Sequence, residues 1–206
     1  MKKDKTETTV FIHGYQGNNK IPKKIDEYAY CSQNNSVIAI LDWSNLINGD
    51  VMLLATQCKL GRAENAIRIL YQFIVHVSLK TGLDPAGVIF YTDLYKGCEM
   101  NPTVAHFTDA FYTTRGALST VQNVGKLNIY ANSGTAPQPG CYLNTLSLID
   151  VHDCSHVKAI KWYANAVRNE TKYLARKCED CMLLFRYKYC QENEQIYFGP
   201  HVDTKK

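Results

Sequence analysis

Val37-Ile38-Ala39-Ile40-Leu41 is an unbroken apolar run with no polar residue at alternate positions. That pattern belongs to a strand covered on both faces, as in a parallel sheet, rather than to a half-exposed antiparallel strand. Upstream, Thr8-Thr9-Val10-Phe11-Ile12 is β-branched and aromatic, ends at His13-Gly14, and reads as a second buried strand. Downstream, Ala66, Ile69, Leu70 and Phe73 share one face of a helix expected over Ala63 to Phe73. Ile74 to Leu79 then reads as a strand joined almost directly to that helix, running on into Gly82-Leu83-Asp84-Pro85. Phe107 to Thr114 and Leu127 to Tyr130 are further strand candidates, and Gly134 to Gly140 is a Pro/Gly loop. From Ser155 onward, Val157, Ile160, Ala164 and Val167 recur at helical steps, so an amphipathic helix is expected to follow His156. Strands first, then alternating helices and strands, predict an α/β fold with a mainly parallel central sheet flanked by helices.

The bulk composition narrows the class. At 206 residues, 46% hydrophobic and 20% charged, the chain suits one domain over residues 1–206 with a real core. There is no internal repeat, and no apolar run reaches membrane-spanning length. The net charge of +4 is spread out. Lys2, Lys3, Lys5, Lys20, Lys23 and Lys24 read as solvated ends and loops, and without a basic stripe or a known module no nucleic-acid partner is expected. Met1 to Glu7 has no apolar segment behind its charges and does not read as a signal peptide. Eight cysteines nevertheless suit an oxidising compartment. The sequons Asn34-Asn35-Ser36 and Asn169-Glu170-Thr171 agree with export. The expectation is a secreted, disulfide-stapled protein whose leader is not part of this sequence.

Several stretches resemble, in order, segments of the pancreatic-lipase-like family of α/β-hydrolases, particularly its arthropod lipase and phospholipase A1 members. Phe11-Ile12-His13-Gly14-Tyr15 looks like the family's oxyanion segment, and Asp42-Trp43-Ser44 like the end of its next strand. Thr81-Gly82-Leu83-Asp84-Pro85-Ala86-Gly87 resembles its acid segment almost letter for letter. Gln138-Pro139-Gly140-Cys141 and Cys154-Ser155-His156 resemble its lid base and catalytic histidine, and Tyr197 to Asp203 a segment near the end of the catalytic domain. The resemblance implies a carboxylic ester hydrolase of lipids with a Ser-Asp-His triad. Asp84 would be the acid, His156 the base, and Tyr15 would give one oxyanion N–H; no cofactor is implied. A buried carboxylate keeps one imidazole nitrogen protonated and leaves the other as the base. Read without the family, Asp84 is a turn aspartate before Pro85 and His156 a polar residue opening a helix. His76 and His106 read as structural groups, and His13 as a loop-shaping residue.

The nucleophile is the mismatch. No Gly-x-Ser-x-Gly occurs, and none of Ser32, Ser36, Ser44, Ser78, Ser119, Ser133, Ser147 and Ser155 has glycine two positions to either side. Ser78 sits between His76 and Lys80 at those offsets, which makes it a poor substitute because a sharp elbow there would be strained. Against the family, a central strand, the nucleophile elbow and the following helix are missing between Leu79 and Thr81, together with the opening strands before Thr8. The expected fold is therefore an incomplete α/β-hydrolase.

The cysteines divide by resemblance. Cys141 and Cys154 match the lid disulfide, enclosing Tyr142 to Asp153 with Leu143, Leu146, Leu148 and Ile149. Such a loop is either a short lid with an apolar face, suited to phospholipids or small esters, or a plain stapled surface loop. Cys178, Cys181, Cys190 and His201 hold the elements of a zinc site, but their spacing is irregular and a Cys178–Cys190 disulfide matches the family better. Cys31, Cys58, Cys98 and Cys181 have no assignable partners. Three functional readings follow. The chain is a lipid esterase, a non-catalytic relative that binds lipid or a protein as the egg-yolk relatives in insects do, or a shortened product of a lipase gene. The expectation is a lipase-like chain that is inactive as written, with a lipid or small-ester ligand, contact with a lipid surface, and no metal.

Overall fold

The computed structural model describes residues 7–12, 36–41, 79–87, 100–142, 147–168, 172–178, 190–200 and 202. Strand β1 (Glu7–Ile12) pairs in parallel with β2 (Ser36–Leu41), Glu7 opposite Ser36 and Ile12 opposite Leu41. Strands β3 (Leu79–Leu83), β4 (Phe107–Tyr112) and β5 (Leu127–Tyr130) form a second parallel set in that spatial order. Leu83 lies opposite Phe111, and Tyr112 opposite Tyr130. The helix α1 (Leu148–Val167) follows, and β6 (Tyr173–Arg176) and β7 (Gln195–Phe198) close the order as an antiparallel pair. Parallel strands with a long helix are the expected α/β composition.

Four expectations are adjusted. Strand β1 is not covered on both faces: Val10 is 36% and Ile12 40% exposed, while Phe11 between them packs on the core. Alternate side chains of a strand face opposite ways, so β1 buries one row only. Strand β3 begins at Leu79, where the apolar run Ile74–Leu79 ends; its polar Lys80 and flexible Gly82 are held extended by the ladder to β4. Helix α1 starts at Leu148, well before His156. Ser147 caps it, accepting from the Asp150 amide at 3.2 Å while the Asp150 carboxylate takes the Ser147 N–H at 3.1 Å. Strands β6 and β7 were not anticipated at all. The helix expected over Ala63 to Phe73 and the run Ile74 to Ser78 lie outside the described residues.

The core lies between α1 and one face of the β3–β5 sheet. Phe111 and Ile129 meet Ala159, Tyr163, Ala166 and Val167, with Phe198 of β7 added from the side. Phe111 and Phe198 stack with ring centroids 4.0 Å apart, and Trp162 meets Phe111 edge-on at 6.3 Å. Ala159 has no exposed surface, which lets the helix backbone approach the sheet closely. On the other face Tyr112 stacks on Tyr130 at 4.9 Å over Ala110 and Val124. The connection from β4 to β5 is not helical. It is pinned from within: Tyr112 Oη donates toward Gln122 O at 2.9 Å and accepts the Val124 N–H at 3.0 Å. Both faces of β4 are thus filled, and its carboxyl end is fixed in place.

Candidate active site

Parallel sheets gather functional groups beyond the carboxyl ends of their strands, and two such ends meet here. Asp84 follows β3 directly, and its N–H continues the ladder to Phe111 O at 2.7 Å. Its φ of +52° is in the left-handed region, which aspartate tolerates better than most residues. The next three residues are zipped onto the β4–β5 connection. Thr120 N donates to Pro85 O at 2.9 Å, Gly87 N donates to Leu118 O at 2.8 Å, and Ala86 bridges Ser119. A Cβ on Gly87 would fall 2.5 Å from the Thr120 nitrogen, so this close approach requires glycine.

The Asp84 carboxylate is buried at 1% exposure and is saturated with donors. Oδ1 accepts from the amides of Thr113 at 2.6 Å and Thr114 at 2.9 Å. Oδ2 accepts from Thr114 Oγ1 at 2.5 Å and faces His156 Nδ1 at 2.6 Å. Thr113 and Thr114 can do this because β4 ends at Tyr112, freeing their N–H groups from the ladder. Burial alone pushes the carboxyl up. The hydrogen bonds from His156, the Thr113 amide and the Thr114 hydroxyl outweigh it and hold Asp84 below the ordinary carboxylate value.

His156 projects from the third turn of α1, flanking the buried stripe formed by Val151, Ser155 and Ala159. Its side chain is 38% exposed while that of Asp84 is closed off. With Nδ1 committed to the carboxylate, Nε2 is left on the other side of a partly exposed ring. A carboxylate so placed fixes the tautomer and supports an imidazolium formed at Nε2, as an acid–base pair for acyl transfer requires.

Other expected positions divide clearly. Cys141 and Cys154 are disulfide-bonded, their Cα atoms 5.8 Å apart, and so are Cys178 and Cys190, at 5.5 Å. The second bridge removes two sulfurs from the zinc arrangement. The Cys141–Cys154 loop carries the first turns of α1, where Leu148 and Ile149 are 63% and 73% exposed, so it is partly helical rather than a simple loop. Tyr15, His13, Ser78, His76, Cys31, Cys58, Cys98, Cys181 and His201 lie outside the described residues. His106 is exposed, and its carbonyl accepts from Lys126 Nζ. Among the described residues no serine hydroxyl bonds His156: Ser147 caps α1, and Ser155 donates to Val151 O at 2.7 Å while accepting from Gln138 N at 3.1 Å. Thr113, Thr114 and Gln138 are the site residues whose roles sequence reasoning missed. The one available signal was a Thr-Thr pair closing an apolar strand beside the acid segment.

A family model described as Lipase matches residues 61–202. The chain belongs to the lipase family. Its relatives are of the pancreatic-lipase-like kind, and the family implies the α/β-hydrolase fold. This lipase-family chain is 29% identical to pancreatic triacylglycerol lipase of Mus musculus over 120 residues, 50% of this chain and 25% of that protein. It is 33% identical to lipase member H of Danio rerio over 99 residues, covering 48% and 21%. Phospholipase A1 1 of Dolichovespula maculata matches at 34% over 91 residues, covering 43% and 26%. The chain therefore spans about a quarter of the length of the curated relatives it matches.

Proposed function

We propose that this lipase-family chain binds a lipid or small-ester ligand and retains the acid and base of ester hydrolysis without the serine they serve. The observation that carries this reading is the Asp84–His156 contact at 2.6 Å, in a sequence with no Gly-x-Ser-x-Gly. Asp84 orients and supports the imidazole, and His156 Nε2 is the base. Tyr15 supplies an oxyanion N–H by family analogy. An acyl-enzyme pathway needs a nucleophile at that Nε2, and Ser78 lacks the flanking glycines for an elbow. The reading is therefore of a single lipase-like domain over residues 1–206, shortened between Leu79 and Thr81, without turnover of its own. The two disulfides among the described residues and the two sequons of the sequence favour a secreted glycoprotein. The exposed Tyr142, Leu148 and Ile149 favour contact with a lipid surface.

The test is hydrolysis of short-chain nitrophenyl esters and of phospholipid vesicles by the purified chain. No turnover above the His156→Ala background is expected. Turnover abolished by Ser78→Ala would overturn the inactive reading. A longer transcript from the same gene, encoding Gly-x-Ser-x-Gly across the Leu79–Thr81 junction, would assign the activity to that longer product.

A further inference from the structure

The acid and the base reach the site on separate elements: Asp84 at the end of β3, clasped by the end of β4, and His156 on α1. One residue bonds to both supports. Gln138 is fully buried, with no exposed surface. Its backbone N–H donates to Ser155 Oγ at 3.1 Å, directly beside His156, and its carbonyl accepts from the N–H of the disulfide-bonded Cys141 at 2.9 Å. Its side-chain Nε2 donates to Thr113 O at 3.0 Å, Ala131 O at 2.9 Å and Thr135 O at 2.9 Å, while Oε1 accepts from Asn132 Nδ2 at 3.0 Å. Thr113 O belongs to the same peptide group as the Thr114 N–H that holds Asp84 Oδ1. The Gln138 amide and the Asp84 carboxylate therefore bond opposite ends of one peptide plane. A donor on the carbonyl fixes that plane and polarises its N–H, which strengthens the bond to the carboxylate.

We infer that Gln138 is a positioning residue for the Asp84–His156 pair, coupling the peptide that holds the acid to the helix that carries the base. This rests on reading Asp84 and His156 as an acid–base pair. A side chain that only filled space here would be replaceable by any residue of like volume. An amide with two N–H protons facing three carbonyls is matched to these acceptors in particular. Gln138→Met keeps the volume and removes every side-chain hydrogen bond. Ser155→Ala cuts the link on the helix side and leaves the amide in place.

The readout is the imidazole Nδ1–H proton of His156, followed by nuclear magnetic resonance on the full ¹⁵N-labelled chain. A short N–H···carboxylate bond places it far downfield and protects it from exchange. Asp84→Asn should abolish that signal; if it persists there, or is missing from the unmodified protein, the acid–base reading itself fails. With the signal assigned, Gln138→Met should lose it while near-ultraviolet circular dichroism and cooperative melting are retained. Ser155→Ala should shift and broaden it. A folded Gln138→Met protein with the signal unmoved overturns the inference. Should Gln138→Met fail to fold, Ser155→Ala decides alone, and an unmoved signal in that variant overturns the inference equally.

Discussion

Asp84, just past the end of β3, and Asp109, within the neighbouring β4, are two carboxylates each only 1% exposed whose acidities are pushed in opposite directions. Asp84 has two backbone amides, a hydroxyl and an imidazole around its oxygens and stays ionised below the usual range. Asp109, within β4, is pushed up to about 6 by burial, against which a hydrogen bond from Thr81 weighs too little. Its Oδ1 has no partner. Depth alone therefore does not set the charge of a buried carboxyl here; the number of donors does. Donors are plentiful where a strand has ended and its N–H groups are released. They are scarce mid-strand, where those groups are spent on the ladder.

The largest test of this contrast removes the saturated carboxylate. Asp84→Ala leaves the Thr113 and Thr114 amides buried and unpaired, and should cost about 4 kcal/mol in urea unfolding at pH 7. A loss under 1 kcal/mol would show that those amides find water instead. Because the Asp84 carboxyl is depressed in the folded state, its contribution is present above the ordinary carboxylate range near 4 and lost as pH falls through its lowered value.

Asp109 has the opposite sign. Its folded value is raised, so its ionisation lowers stability as pH climbs from about 4 to about 6, and the deficit persists above that. Asp109→Asn should therefore stabilise the protein at pH 8 by up to about 3 kcal/mol. At pH 4 it should have little effect. A variant equally stabilising at both pH values would contradict the charge argument.

The smallest effect comes from making Asp84 resemble Asp109 by one bond. Thr114→Val removes the hydroxyl from Oδ2 and should cost about 2 kcal/mol at pH 7. Its acid unfolding should also begin at a higher pH than in the unmodified protein. An unchanged acid limb would mean that the backbone amides and His156 suffice.

Legibility in the sequence followed the same division. The strands expected over Phe107 to Thr114 and Leu127 to Tyr130 were readable because apolar strand residues carry their own pattern, although β4 stops two residues short, at Tyr112. The meeting of Asp84 with His156 was readable because the segments around them resemble a family in order. Strand β3 over Leu79–Leu83 was not legible because Lys80 and Gly82 are extended only through pairing with β4, which no local pattern announces. The start of α1 at Leu148 is marked only by the capping box Ser147-Leu148-Ile149-Asp150, because Leu148 and Ile149 face solvent and fall outside the apolar stripe. Thr113, Thr114 and Gln138 act through backbone groups far away in sequence, and such contacts leave no spacing to read. Strands β6 and β7 are four residues each, too short for an alternation to stand out.

The Cys141–Cys154 bridge joins α1 two residues ahead of His156. The helix runs on unbroken to either side of it, from Leu148 to Val167. Beyond the rivet, the rod is committed: a slide of one residue along its axis moves the imidazole by about 1.5 Å and breaks its bond to Asp84. Ahead of it, the side chains of Leu148 and Ile149 face solvent and take no part in the Asp84–His156 contact. New side chains can be tried there, to greet a different surface, while the histidine keeps its station.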